Sequence, residues 1–469
     1  MTSEGSRNLI TPSNIIAAIT TLSALVLIIM PTPDGVSPTV MKGAALGLFA
    51  VGLYATVAIP EYLTALAFFT IAMIFGVAPP AVVFSGFHST AFWLVFGGLI
   101  IGAAVQKTGL GAKLATAITT RLTGGYPMLV FGLALVGIAL AFVMPSTMGR
   151  VVLLIPIVVA LCDHIGYEPG SRERTGLILA MACGTWMPSS AILPSNVPNM
   201  VLIGVAENLF GITFNYGEYM LTNLPVNGLL KAALIIGIVM FMFPADPNKK
   251  VKDVQETANP PLSIDGKKLA LILALTLGFW VTDVFHHISP AWIAMAAAII
   301  CLWPGIALIN DSDLKTRVNF PSTLYTAGIL SLGAVLVETG AGDWMGGWLL
   351  AHLPLSPDEP LMSFYSMIGL GVAVNMASTA PSVPAIVGPL ANDLSSLSGF
   401  PLKTVLMTQV IAYSTVILPY QVPPLVVAMH LGGVSMTDGA KMTLALAIVS
   451  LIILIPLNYL WWGWIGLLP

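Results

Sequence analysis

The sequence predicts an all-α polytopic membrane protein, and three observations carry that prediction. Hydrophobic residues make up 57% of the 469-residue chain and charged residues only 8%, where soluble domains carry roughly 25% charge. The mean hydropathy is +0.92. The apolar runs are long enough to span a bilayer, which takes roughly 17–25 residues each. Lipid leaves only helices or a closed barrel to satisfy the backbone, and these runs lack the alternation of barrel strands. The expected architecture is about 11 transmembrane helices plus two re-entrant hairpins, organised as inverted repeats with two broken helices.

Taken in order, spans are expected at 12–30, 41–59, 61–78, 88–106, 174–205, 222–243, 267–286, 290–309, 320–339, 401–429 and 441–466. The opening apolar segment lacks a small-residue cleavage site and reads as a first span. Two stretches remain, 126–163 and 361–391, each interrupted by small polar residues: "VMPSTMGR" at 143–150 and "NMASTAPSVP" at 375–384. They read as hairpins that enter the membrane and return. With the N-terminus inside, fourteen of the 18 Lys and Arg fall on the cytoplasmic side, and only Lys42 and Lys403 fall outside. This is the positive-inside bias of a cytoplasmic-membrane protein. The net charge of −3 gives no basic field for nucleic acid. Cys162, Cys183 and Cys301 have no metal-ligand spacing and read as packing residues.

The chain repeats itself. "ILPSNVP" at 192–198 returns as "ILPYQVP" at 417–423, and "GAAVQKTGLG" at 102–111 returns as "GAVLVETGAG" at 333–342. The polar tips near Ser146 and Ser378 fall between these landmarks in each half. The domains follow: a tail and first span over 1–40, repeat 1 over 41–243 (hairpin 126–163, broken helix 174–205), a cytoplasmic linker over 244–266, and repeat 2 over 267–469 (hairpin 361–391, broken helix 401–429). Five spans per repeat is an odd number, so the halves have opposite topology, as alternating-access carriers do. Paired prolines remove backbone donors and unwind a helix. Open backbone is tolerated at membrane depth only inside protein or along a cavity.

This arrangement resembles the divalent anion/sodium symporter family of the ion-transporter superfamily, which includes dicarboxylate, citrate and sulfate carriers. In that family each tip carries Ser-Asn-Thr and each broken helix a Thr-Pro-Pro-Asn-like loop. Here the first tip reads Pro145-Ser146-Thr147-Met148-Gly149-Arg150 and the first loop Asn196-Val197-Pro198-Asn199. The second tip reads Ala377-Ser378-Thr379-Ala380 and the second loop Gln421-Val422-Pro423-Pro424. Asparagine is absent from both tips, and Pro424 stands opposite Asn199. The resemblance implies a secondary transporter of a small anion, coupled to Na+ or working by exchange. It also implies a homodimer in the membrane and no organic cofactor.

The candidate substrate residues are Ser146, Thr147, Arg150, Asn199, Ser378 and Thr379. The Na+ candidates are Ser146, Thr147, Ser195, Asn196, Ser378 and Gln421. Hydroxyl and carbonyl oxygens suit a hard cation, and helix N-termini at the tips suit an anion. Arg150 stands among apolar residues, where an ionisable group is a functional candidate by default. In the exchangers of that family the first tip looks like Pro-Ser-Asn-Thr-Ala-Arg, which Pro145, Ser146 and Arg150 match without a gap. Lys231 is expected to reach a surface through its long stem. The acidic residues, Glu61 among them, fall at span ends or in loops, which argues against direct proton coupling. Gly98 and Gly102 form a GxxxG packing motif. A metalloid or other inorganic anion exporter is the alternative within transport, and an ion channel is a further one. An enzyme is not expected, since the chain has no HExxH and no nucleophile–base pair. Cysteines introduced in the 244–266 linker should react only with reagent on the cytoplasmic side; labelling from outside would overturn the topology.

Overall fold

The computed structural model describes residues 12–113, 125–246 and 261–468. Most of the 244–266 linker and the first eleven residues of the tail lie outside this set. Every regular element among the described residues is helical. Eight helices are long and apolar enough to cross a membrane, and five shorter apolar helices accompany them.

Two groups of helices frame the centre. Pro38–Thr56 and Glu61–Ile74 pack against Phe320–Glu338, while Thr90–Thr108 lies along Pro290–Leu302. The elements of the polar patches pack against them: Val197–Phe210 meets both Phe320–Glu338 and Thr90–Thr108. Tyr126–Val143 and Thr147–Ile165 are joined at Met144–Ser146, and both arms pack against Arg172–Trp186. Each arm is long and apolar enough to cross a membrane by itself. In the second half, Pro360–Ala377 is followed by three short pieces, Ser382–Val387, Gly388–Leu390 and Ala391–Ser398.

Proline marks the interruptions. Arg172–Trp186 ends before two short 3-10 turns, Pro188–Ala191 and Leu193–Ser195, and Val197–Phe210 then continues. Leu402–Ser414 gives way to a turn at Pro419–Gln421, and Pro423–Gly432 follows. A further pair of matched features lies downstream. Wide π-type turns occur at Leu224–Leu230 and Ser450–Leu454, beside "LPVN" at 224–227 and "IPLN" at 455–458. The buried Asn227 and Asn458 hold the same place in these phrases.

One close approach sets the first arm. A Cβ on Gly137 would lie 2.9 Å from backbone atoms of Gly184 and Thr185, so Tyr126–Val143 and Arg172–Trp186 touch backbone to backbone there. Backbone cannot yield as a flexible side chain does, and overpacking costs about 1–3 kcal/mol. Gly137→Val should therefore lower the unfolding temperature and separate the arm from the half-helix. A transporter with wild-type melting and wild-type flux would show that the crossing tolerates a Cβ.

Candidate anion and cation site

Each break leaves backbone groups that need partners. In the first loop Asn196 caps the following helix, its Oδ1 accepting from Asn199 N at 3.0 Å. Asn199 is fully buried. Its Nδ2 donates to Ile192 O at 2.8 Å and Leu193 O at 3.3 Å, and its Oδ1 accepts from Tyr413 Oη at 2.7 Å. Ser195 Oγ donates to Ser189 O and, at 2.8 Å, to Ile192 O. In the second loop Gln421 Oε1 accepts from Ile417 N at 2.7 Å and Leu418 N at 2.6 Å. The Gln421 carbonyl takes the Ala380 amide of the second tip at 2.9 Å, so tip and loop are joined.

Two buried cations meet the carbonyl ends of the broken helices. Arg150 is fully buried. Its guanidinium donates to Met144 O in the first tip, to Ser195 O at 3.1 Å in the loop and to Thr185 O at 3.2 Å near the end of Arg172–Trp186. It also donates to Thr147 Oγ1 at 3.0 Å. A cation at a helix C-terminus meets the negative end of the macrodipole. Arg150 therefore does not snorkel. Lys231 corrects the sequence expectation: it is buried, not surface-reaching. Its Nζ donates to Ser414 O at 3.1 Å and Ser414 Oγ at 2.8 Å, at the end of Leu402–Ser414. The stem does not snorkel: the helix bearing it packs against Tyr126–Val143, Arg172–Trp186 and Met436–Val449.

Between tips and loops lies a cavity of about 370 Å³. Of the predicted site residues, Ser146, Thr147, Asn196 and Gln421 line it. Arg150, Ser195, Asn199, Ser378 and Thr379 are buried and do not line it. Ser378 Oγ donates to Val374 O of its own helix at 2.8 Å, and Thr379 Oγ1 lies 3.5 Å from Ser382 Oγ. Among the helices that begin at the cavity, two follow the first tip and the first loop. Thr147–Ile165 presents Thr147 and Met148 there, with Ser146 Oγ capping Gly149 N at 3.1 Å. Val197–Phe210 presents Val197 and Pro198. Open amides and the positive end of the dipole converge from two directions, which is a setting for an anion.

The other wall was not assigned to the site from the sequence. Gly98 and Gly102 belong to it; a Cβ on Gly98 would come within 3.0 Å of Pro145, so the GxxxG face serves approach to the tip. Gln106, Glu61 and Tyr325 also line the cavity. Gln106 sits inside the repeated "GAAVQKTGLG" phrase, which was the available signal. The cavity meets the surface at Arg317, whose side chain is 44% exposed. Asp313 braces this mouth, accepting from Lys107 Nζ at 2.6 Å and Arg317 Nε at 3.0 Å. The hydrogen bond from Lys107, then that with Asn310 N and that from Arg317, push the Asp313 carboxyl down to about 2. The Asp313 carboxylate thus keeps its charge, and its side of the brace, down to about that value.

The model of the sodium:sulfate symporter transmembrane region matches residues 13–468. The chain belongs to the sodium:sulfate symporter family. This family's members are multi-pass membrane transporters, and this chain is one. A membrane protein of Cupriavidus necator is 24% identical to it, over 94% of this chain and 91% of the relative. The L-tartrate/succinate antiporter of Escherichia coli K12 is 23% identical, over 80% of this chain and 79% of the relative. Among solved structures, the Alcanivorax borkumensis YdaH transporter superposes with a TM-score of 0.54 at 15% identity, covering 91% of this chain and 99% of that one. Neisseria gonorrhoeae MtrF superposes with a TM-score of 0.54 at 13% identity, covering 97% and 96%. At these identities the likeness is one of fold.

Asn199 supports the loop and not the cavity surface. Asn199→Ala would leave the Ile192 and Leu193 carbonyls without that donor, at a cost of about 1–3 kcal/mol. The expected outcome is a lower melting temperature and weakened transport. Unchanged melting would mean that water or a neighbour satisfies those carbonyls.

Proposed function

We propose that this family member is a secondary carrier that exchanges small dianions of the dicarboxylate or sulfate type by alternating access. The observation that carries the reading is the convergence of two helix N-termini, at Thr147 and Val197, on one cavity walled by the opposite repeat's Gln421. A carboxylate or sulfate placed there would accept from the open amides. Ser146, Thr147 and Asn196 supply neutral polar groups around it. With the Lys107 and Arg317 end on the positive-inside face, the cavity opens to the cytoplasm. The function of the Escherichia coli relative, antiport of L-tartrate and succinate, is in keeping with this reading.

Exchange is favoured over obligate Na+ symport by what occupies the carbonyl oxygens. A bound Na+ would seek such hard oxygens. In the first repeat the Met144, Thr185 and Ser195 carbonyls already accept from Arg150. A fixed guanidinium there offsets part of the substrate's charge and reduces the need for a bound ion. Ser146, Thr147, Asn196 and Gln421 keep access to the cavity, and they are the positions for Na+ if one binds.

The test is uptake into proteoliposomes. Vesicles preloaded with unlabelled dicarboxylate should take up labelled substrate without Na+. Arg150→Ala should lose at least tenfold in rate and make the remainder more Na+-dependent. Arg150→Lys should lose most affinity, because an ammonium cannot reproduce the planar fork that reaches several carbonyls at once. If wild-type uptake vanishes without Na+ despite preloading, the carrier is a symporter and the exchange reading falls.

A further inference from the structure

The cavity carries a single cation on its wall. Among the described residues that line it, only Glu61 and Arg317 are charged. Arg150 is buried and does not line it. Arg317 ends the short helix Asp311–Arg317 and stands where the cavity meets the surface, its side chain 44% exposed. Asn319 and Ser322, next along the chain, line the cavity too, as does Gln106 of Thr90–Thr108. The side chains of these three make no hydrogen bond among the described residues. A Cβ on Gly149 would lie 3.0 Å from Gln106 Nε2, so this amide reaches the first turn of Thr147–Ile165. The next residue, Lys107, is bound to Asp313 and through it to Arg317. Mouth and first tip are therefore close neighbours.

The guanidinium is held without being used up. Asp313 is fixed by its own helix: Asn310 N donates to its carboxylate at 3.1 Å, and Asn310 Oδ1 accepts from its amide at 2.9 Å. One carboxylate oxygen takes Lys107 Nζ and the other takes Arg317 Nε. The two terminal amino groups of Arg317 make no hydrogen bond among the described residues. They form a planar two-donor edge that matches a carboxylate. Two cations share one carboxylate, so the cluster stays positive. An ion pair this exposed contributes little to stability. What it supplies is orientation, a fork anchored at Nε and open at its end.

We infer that Arg317 is the residue that receives the substrate anion at the cavity mouth. The inference rests on the anion-carrier reading above. The free edge of its guanidinium binds a carboxylate arriving from solution, and the anion then moves past Gln106, Asn319 and Ser322 to the amides at the first tip. A cation at the rim of a low-dielectric cleft raises the local concentration of anions, and salt weakens the effect. Glu61 on the same wall repels an anion when ionised, and Arg317 offsets it. No lining side chain deeper in the cavity is cationic, so Arg317 is the point at which the sign of the solute is selected.

Counterflow of labelled succinate in proteoliposomes tests the idea. Arg317→Gln should raise KM at least fivefold and leave kcat within twofold of wild type. Added choline chloride should raise the wild-type KM and leave that of the variant nearly flat. Melting should not fall, because the exposed pair adds little. Charge rescue is the decisive arm. The three native cysteines are buried, so Arg317→Cys introduces an accessible thiol at the mouth. Modification before reconstitution with aminoethyl methanethiosulfonate, which leaves an ammonium, should recover at least half of the lost affinity. Sulfonatoethyl methanethiosulfonate, which leaves a sulfonate, should weaken it further. A KM within twofold of wild type in Arg317→Gln, or equal recovery with both reagents, would overturn the role of Arg317 and leave the carrier reading standing. A lower melting temperature with no rescue by the ammonium would mark Arg317 as structural and overturn it as well. Wild-type protein that exchanges neither succinate, malate nor sulfate would remove the anion-carrier reading and this one with it.

Discussion

The Arg150 guanidinium is the interaction on which the first half of the site depends. A membrane core supplies no water, so each opened backbone group must be satisfied from within the protein. Breaking Arg172–Trp186 frees carbonyls at its end and in the following loop. One side chain, held on the neighbouring arm three residues past the tip, takes carbonyls from tip, loop and half-helix together. The cost of burying its charge is high, and the negative ends of aligned peptide dipoles offset part of it. Without such a brace the prolines would merely weaken the helix.

Lys231 repeats the solution with different parts. It meets the end of Leu402–Ser414 from a helix outside both polar tips. A buried chain of hydrogen bonds continues from it. Ser414 Oγ donates to Asn227 Oδ1 at 3.1 Å, and Asn227 Nδ2 donates to Ser190 Oγ at 3.1 Å. Tyr219 Oη donates to Ser190 O at 2.9 Å and lies 3.2 Å from Tyr413 Oη, which in turn holds Asn199. The breaks in the two halves therefore share one polar network. Partly opened, such a network leaves buried groups unpaired, so its members are held to one another more strongly than any single bond implies.

The sequence made the chain's class legible because composition and run length act directly on the bilayer problem. The break sites were legible for a similar reason: Pro194 and Pro198, or Pro419 and Pro423, leave no continuous helix. The site was legible only in outline. Ser146 and Asn196 line the cavity as helix caps, a role their types announce. Asn199 has the same type and faces inward, where its amide donates to the Ile192 and Leu193 carbonyls of the preceding turns. Lys231 looked like a surface-seeking cation because its partner, Ser414, lies 183 positions away. Asn227 could have been found, since "LPVN" and "IPLN" repeat in register with the other landmarks. Glu61 could not: at the first position of a helix it reads as an ordinary N-terminal acid, and only the packing of Phe320–Glu338 against that helix brings it to the cavity.

The two halves use a shared frame for unequal work. After the first break, a 14-residue helix starts at Val197 with an asparagine cap and can present an amide to the cavity. After the second, Pro423 and Pro424 start the helix with two residues that have no N–H to present. The first tip opens into the 19-residue Thr147–Ile165, whereas the second opens into the six-residue Ser382–Val387 and is tied to its loop by Ala380 N and Gln421 O. A helix N-terminus carries a partial positive charge, so the proposed anion site rests on the helices of the first repeat. The second repeat closes the cavity with an amide side chain and proline rings. The two breaks share a frame, and the residues at their edges differ: an asparagine cap begins the helix after one and a pair of prolines begins it after the other.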